Sequence, residues 1–122
     1  MEVRQILVVE DDRDVRLALV EALELEGFTV ASASHGEEAI DLLRRTATLP
    51  RVVLLDLMMP VLDGFGVVAE MRKVPAWARV PVYILTADGR VDEAVVAPPV
   101  IGLLKKPVRL LDLLARLDDL CP

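Results

Sequence analysis

Cysteine is nearly missing from this 122-residue chain. Cys121 stands alone, so no internal disulfide framework can form, and no Cys/His cluster has the spacing of a zinc site. Aromatic residues are few: Phe28, Phe65, Trp77 and Tyr83. The core must therefore be aliphatic, built from Val, Leu, Ile and Ala. Bases are outnumbered, with 14 Lys and Arg against 20 Asp and Glu and a formal net charge of −6. That balance argues against direct nucleic-acid binding, which needs a basic patch. No apolar run approaches the ~20 residues that cross a bilayer. The polar N-terminus leads straight into a short apolar run and does not read as a signal peptide. A chain with no membrane segment and a cytoplasmic location is the default expectation.

What is present is apolar and regularly segmented. At this length and 54% hydrophobic residues, one domain over 1–122 is expected, and it can bury roughly two-thirds of its unfolded surface. Ile6-Leu7-Val8-Val9, Phe28-Thr29-Val30-Ala31, Val52-Val53-Leu54-Leu55, Val80 to Leu85 and Val100 to Leu104 have strand length. Helical spacing fills Arg13 to Glu26, about Glu37 to Thr46, Asp63 to about Lys73, Val91 to Ala97 and Leu110 to Leu120. Gly27 stands at a helix end, Asp63 at an N-cap, and Pro98-Pro99 cuts one helix short. Alternating strands and helices with short connections predict an α/β fold: a three-layer, doubly wound, five-stranded parallel sheet.

The strand ends carry the chemistry. The first strand runs into Glu10-Asp11-Asp12, the third into Asp56, the fourth into Thr86-Ala87-Asp88 and the fifth into Lys105-Lys106-Pro107. In an open α/β sheet, strand carboxyl ends line one edge and ligands bind there. Asp and Thr after a strand often only cap the next helix, and Asp12 and Asp63 are read that way. Asp56 is different, because Leu57-Met58-Met59-Pro60 is not a helix start and proline disfavours the helical conformation before it. Glu10, Asp11 and Asp56 together would repel unless a cation sat among them. An oxygen-only acidic site selects a hard cation such as Mg²⁺.

These segments carry a resemblance. Ile-Leu-Val-Val-Glu-Asp-Asp at 6–12, Leu-Asp-Leu-Met-Met-Pro-Val-Leu-Asp-Gly at 55–64, Leu-Thr-Ala at 85–87 and Lys-Lys-Pro at 105–107 stand in order along the chain. Together they resemble the landmarks of response-regulator receiver domains of two-component signalling, the CheY-like superfamily. The resemblance implies a flavodoxin-like strand order 2-1-3-4-5. It implies Asp56 as phosphoacceptor, Asp11 as a direct Mg²⁺ ligand, Glu10 assisting through water, and the Met58 backbone carbonyl as a further ligand. Thr86 would hydrogen-bond the phosphoryl group and Lys106 would pair with its charge, while Lys105 is a solvated surface charge. The family usually has a cis peptide before this proline. The implied partners are a histidine kinase or phosphotransfer protein and an unidentified downstream protein; homodimerisation is left open. Such a domain catalyses only its own phosphorylation and dephosphorylation and is a switch before it is an enzyme.

The sequence also departs from the family pattern. Leu103 replaces the switch aromatic three residues before the lysine, Pro98-Pro99-Val100-Ile101-Gly102 replaces a common Gly-Ala stretch, and Arg109 stands where an acidic cap often opens the last helix. The response to phosphorylation is therefore expected in the backbone of 87–102 and not in a ring flip. Met58 and Asp88 occupy positions that tune phosphate lifetime in the family. His35 reads as a solvated loop residue. The alternative reading is a degenerate receiver acting as an interaction module or phosphate sink. A haloacid-dehalogenase-type hydrolase would need a second Asp at Met58. A flavodoxin-like cofactor binder would need a phosphate-cradling loop where this chain has acids.

Overall fold

The structure, a computed structural model, describes residues 5–59, 61–87, 96–118 and 120. Its strands are β1 (Ile6–Val9), β2 (Val30–Ala33), β3 (Val52–Asp56), β4 (Val82–Thr86) and β5 (Val100–Lys105), and its helices are α1 (Arg13–Leu25), α2 (Gly36–Arg45), α3 (Gly64–Lys73) and α4 (Leu110–Leu117). All strand pairs are parallel, in the order β2-β1-β3-β4-β5. The expected doubly wound α/β sheet is thus the observed one. Among the described residues no helix is long and apolar enough to cross a membrane.

The layers arise from the period of two in the strands. Leu7, Val9, Val53, Leu55, Val82 and Ile84 turn to one face and pack with Ala39, Ile40 and Leu43 of α2, Val67, Val68 and Met71 of α3, and Trp77. Ile6, Val8, Val52, Leu54, Tyr83 and Leu85 turn to the other and pack with Leu23 of α1 and with Leu113 and Leu117 of α4. Central strands covered on both faces must be apolar throughout, which is why β1 and β3 read as unbroken runs.

The caps set where helices begin. Asp12 accepts hydrogen bonds from the amides of Asp14 and Val15, and Asp63 from Gly66, so both aspartates cap as their positions imply. Gly27 takes φ +95 behind α1, the left-handed position that glycine fills without strain.

Several boundaries differ from the sequence reading. β2 lies two residues later, because the sheet edge tolerates exposed Ser32 and the apolar run is not its signal. Phe28 instead packs half-buried against the α1/α4 layer. His35 is not a free loop residue: its Nδ1 accepts from the Glu38 amide at 3.2 Å and caps α2. Ser34 is one place too early for that cap and bonds the Glu38 carboxylate through its hydroxyl at 2.7 Å. β4 begins at Val82, not Val80, and α4 ends at Leu117, with the Leu120 amide closing a turn onto Leu117. Arg109 caps α4 with no side-chain hydrogen bond.

The helix expected over Val91 to Ala97 falls largely outside the described residues, as does Asp88. Just ahead of β5, the Arg72 guanidinium holds the carbonyls of Ala97 and Pro98 at 3.0 Å each. The Pro98-Pro99 and Lys106-Pro107 peptides are cis.

Leu54 is fully buried in the α1/α4 layer. Leu54→Ala is expected to destabilise the fold by about 3 kcal/mol, through lost burial plus the cavity left behind. Urea unfolding should show this as a lower midpoint with an unchanged slope.

Candidate functional site

Parallel pairing in register brings four strand ends to one level. Val9 lies beside Leu55, Asp56 beside Leu85, and Thr86 beside Lys105. The chain leaves β1 through Glu10, whose amide donates to Ala33 at the end of β2 at 3.1 Å. Asp56 is the last residue of β3, one further than the apolar run alone suggests. Lys106 comes directly after β5, its amide donating to the Thr86 carbonyl at 2.8 Å.

The side chains converge there. Lys106 Nζ lies 2.5 Å from Glu10 Oε1 and 3.2 Å from Asp56 Oδ1. Asp56 Oδ1 also accepts from the Met58 amide at 3.3 Å. Glu10, Asp11 and Asp56 each bring a carboxylate oxygen within 4.8 Å of the others. Glu10 is 0% exposed and Asp56 4%, whereas Asp11 is exposed at the rim. Thr86 is buried at the end of β4. The Met58 side chain points to solvent, Lys105 is exposed, and Leu103 packs half-buried against the α2/α3 layer.

Burial and repulsion set the protonation of this group. Burial pushes the Glu10 carboxyl up to about 7, and its hydrogen bond to Asp56 adds to the rise, with Lys106 opposing. Burial also acts to raise Asp56, but its hydrogen bond with Glu10 and the Lys106 charge outweigh it, so Asp56 stays below its ordinary value. Burial acts against the Lys106 ammonium, and its contacts with Glu10 and Asp56 reverse that and hold it above its usual value. Within the cluster, therefore, burial and the neighbouring Asp56 favour protonation of Glu10, whereas Asp56 is held ionised. Three carboxylates in one oxygen-only cluster suit a hard divalent cation, which relieves the same repulsion by its charge.

The β3–α3 connection is tightly placed. A Cβ on Gly64 would stand 2.7 Å from the Asp56 carbonyl, so α3 starts against the strand that carries Asp56 only because this residue is glycine. Val61 in the same loop takes φ +70, which costs a β-branched residue roughly 1–2 kcal/mol. The sequence reading missed Arg16. From the first turn of α1 its Nη1 donates to the Glu10 carbonyl at 2.8 Å and to the Asp11 carbonyl at 3.5 Å. The signal was a cation four residues after the Asp12 cap, where a helical side chain points back toward the turn.

Residues 6–118 match the family model of the response regulator receiver domain. The transcriptional regulatory protein PrrA of Mycobacterium leprae (strain TN) is 41% identical over 118 residues, which cover 95% of this chain and 49% of that protein. The probable transcriptional regulator ycf27 of Porphyridium aerugineum is 41% identical over 95 residues, 78% of this chain and 38% of that protein. The chain thus spans about half the length of these curated relatives, or less. Among solved structures, chemotaxis protein CheY4 of Vibrio cholerae is similar with a TM-score of 0.83 at 27% identity, covering 98% of this chain and 99% of that one.

The charge arrangement predicts a pH dependence. Glu10 has its folded value raised from 4.5 to about 7, so the folded state keeps a proton that the unfolded chain loses. Its contribution to stability therefore falls as pH rises from about 4.5 to about 7. Asp56 has its folded value lowered, so its contribution is lost only as pH falls below its usual 3.8. Thermal melts in a chelator should show stability declining between pH 5 and pH 8 by on the order of 1–3 kcal/mol. Glu10→Gln should flatten that decline, and added Mg²⁺ should reverse it in the unsubstituted protein.

Proposed function

The chain belongs to the response regulator receiver domain family of two-component signalling, and we propose that it is a phosphorylation switch with the Asp56 carboxylate as acceptor. The observation that carries this reading is the shared ion pair: the Lys106 ammonium touches both Asp56 and the buried Glu10, with Asp11 beside them. The proposed donor is a phosphohistidine on a histidine kinase or phosphotransfer protein. An Asp56 oxygen forms the new bond to phosphorus as the phosphorus–nitrogen bond breaks, and the imidazole leaves with the bonding pair and takes up a proton.

Phosphoryl transfer of this kind is mostly positioning and charge stabilisation. Asp56 remains ionised at neutral pH, as an attacking oxygen must, because Lys106 and Glu10 outweigh its burial. Lys106 is within reach of Asp56 and would follow the charge onto the phosphoryl oxygens. The Thr86 hydroxyl would donate to one of them. Mg²⁺, held by Asp11, Asp56 and the Met58 carbonyl with Glu10 through water, would neutralise charge on the transferring oxygens. The added phosphoryl charge of about −1.5 to −2 biases the surface toward one of two conformations, which an unidentified downstream protein reads. Leu103, already packed half-buried, has no ring to rotate, so the backbone of 87–102 is where that response is proposed. The complete set of acids, hydroxyl and lysine favours this reading over that of a degenerate, phosphate-independent module.

Incubated with acetyl phosphate and Mg²⁺, the protein should gain one phosphoryl group by intact mass, and Asp56→Asn should gain none. An Asp56→Asn protein that is phosphorylated as before would overturn the acceptor assignment. Lys106→Ala should bind Mg²⁺ much as before yet be phosphorylated ~100-fold more slowly, the loss typical of a removed charge-stabilising group.

A further inference from the structure

The turn that presents Glu10 and Asp11 is short: β1 ends at Val9 and Asp12 already caps α1. Two adjacent acids in such a turn, facing Asp56, repel one another and the third. The relaxation open to them is rotation of their peptide planes, which would swing the exposed Asp11 toward solvent. Three contacts oppose that rotation at Glu10. Its amide is fixed to Ala33, its carboxylate to Lys106, and its carbonyl to the Arg16 guanidinium at 2.8 Å. At Asp11 the carbonyl is the second acceptor of the same Arg16 nitrogen, at 3.5 Å.

Arg16 is itself held in place. It lies half-buried, with its amide making the first hydrogen bond of α1 to the Asp12 carbonyl at 2.9 Å. Its charge acts on Glu38 of α2, a carboxylate already fixed by the Ser34 hydroxyl and amide.

We propose that Arg16 is a positioning residue of the cation site: its guanidinium holds the Glu10 and Asp11 carbonyls so that both carboxylates stay turned toward Asp56. This rests on the proposed Mg²⁺ reading of the Glu10, Asp11 and Asp56 cluster and adds to it a residue that contributes no ligand. The guanidinium suits the task because it is planar, permanently charged and offers several donors, where a lysine ammonium is a single flexible point charge.

Isothermal titration of Mg²⁺ alone, run on the unsubstituted protein, Arg16→Ala, Arg16→Lys and Asp11→Asn, tests this. Arg16→Ala should weaken Mg²⁺ binding about tenfold, the usual effect of removing a group that orients metal ligands. Arg16→Lys should fall between. Phosphorylation by acetyl phosphate should need correspondingly more Mg²⁺ for half its maximal rate, and that maximum should return to near the unsubstituted level at saturating Mg²⁺. A purely structural role would instead lower the melting temperature and leave the Mg²⁺ half-saturation unmoved in both variants. If Asp11→Asn weakens binding while neither Arg16 variant does, the positioning role is refuted and the site stands. If Asp11→Asn also leaves binding unchanged, the cation site itself has been drawn wrongly, and this inference falls with it.

Discussion

Repulsion among carboxylates that the fold forces together is the constraint on which the rest of this structure depends. Glu10 and Asp56 are buried at adjoining strand ends, and Asp11 stands beside them. Two ionised carboxylates cannot share so dry a site without compensation. The Lys106 ammonium, in contact with both, supplies part of it, and burial favours a proton on Glu10 as well. That arrangement is exchangeable in a way that a salt bridge between distant surface groups is not. Removing a proton, or adding the divalent cation or the phosphoryl group proposed for this site, would change the same local balance.

The scaffold exists to hold that balance. Four strand ends arrive at one edge because parallel strands connected by right-handed crossovers all point the same way. Covering β1 and β3 with helices on both faces makes the floor of the site rigid and dry. The turns above it are fixed separately, by the Asp12 and Asp63 caps, by glycine at Gly64, and by the amide of Met58 folded back onto Asp56. The second turn, after β2, brings no acid to the pocket. Through Ser34, His35 and Glu38 it starts α2.

The elements that sequence reading caught and missed differ in a physical way. β1 and β3 were legible because burial on both faces demands unbroken apolar runs. β2 was misplaced because an edge strand needs no such run, and its pairing with β1 is decided by the neighbour. Asp12 and Asp63 were legible as caps because Asp is a common one. His35 was not, since an imidazole caps a helix only where the local backbone presents an amide to Nδ1. The acids and Lys106 were legible because they come after strands at the end where α/β sheets bind ligands. Arg16 was missed because its one signal, a cation four residues after the Asp12 cap, is weak in a first turn that also carries the exposed Arg13.

The sequence by itself determined the alternation of strands and helices, the sheet with helices on both faces, and which acids, hydroxyl and lysine stand at the carboxyl ends of its strands. These depend on periodicity and on which residues come after each apolar run, and both are local properties of the chain. Tertiary structure alone decided that Lys106, 96 positions from Glu10 in sequence, touches both Glu10 and Asp56, that protonation is favoured on Glu10 and disfavoured on Asp56, and that Arg16 reaches the carbonyls of the turn after β1. Distances and burial fix those outcomes, because the strength of a charge interaction and the cost of desolvation depend on what stands next to a group in space, which no spacing along the chain specifies.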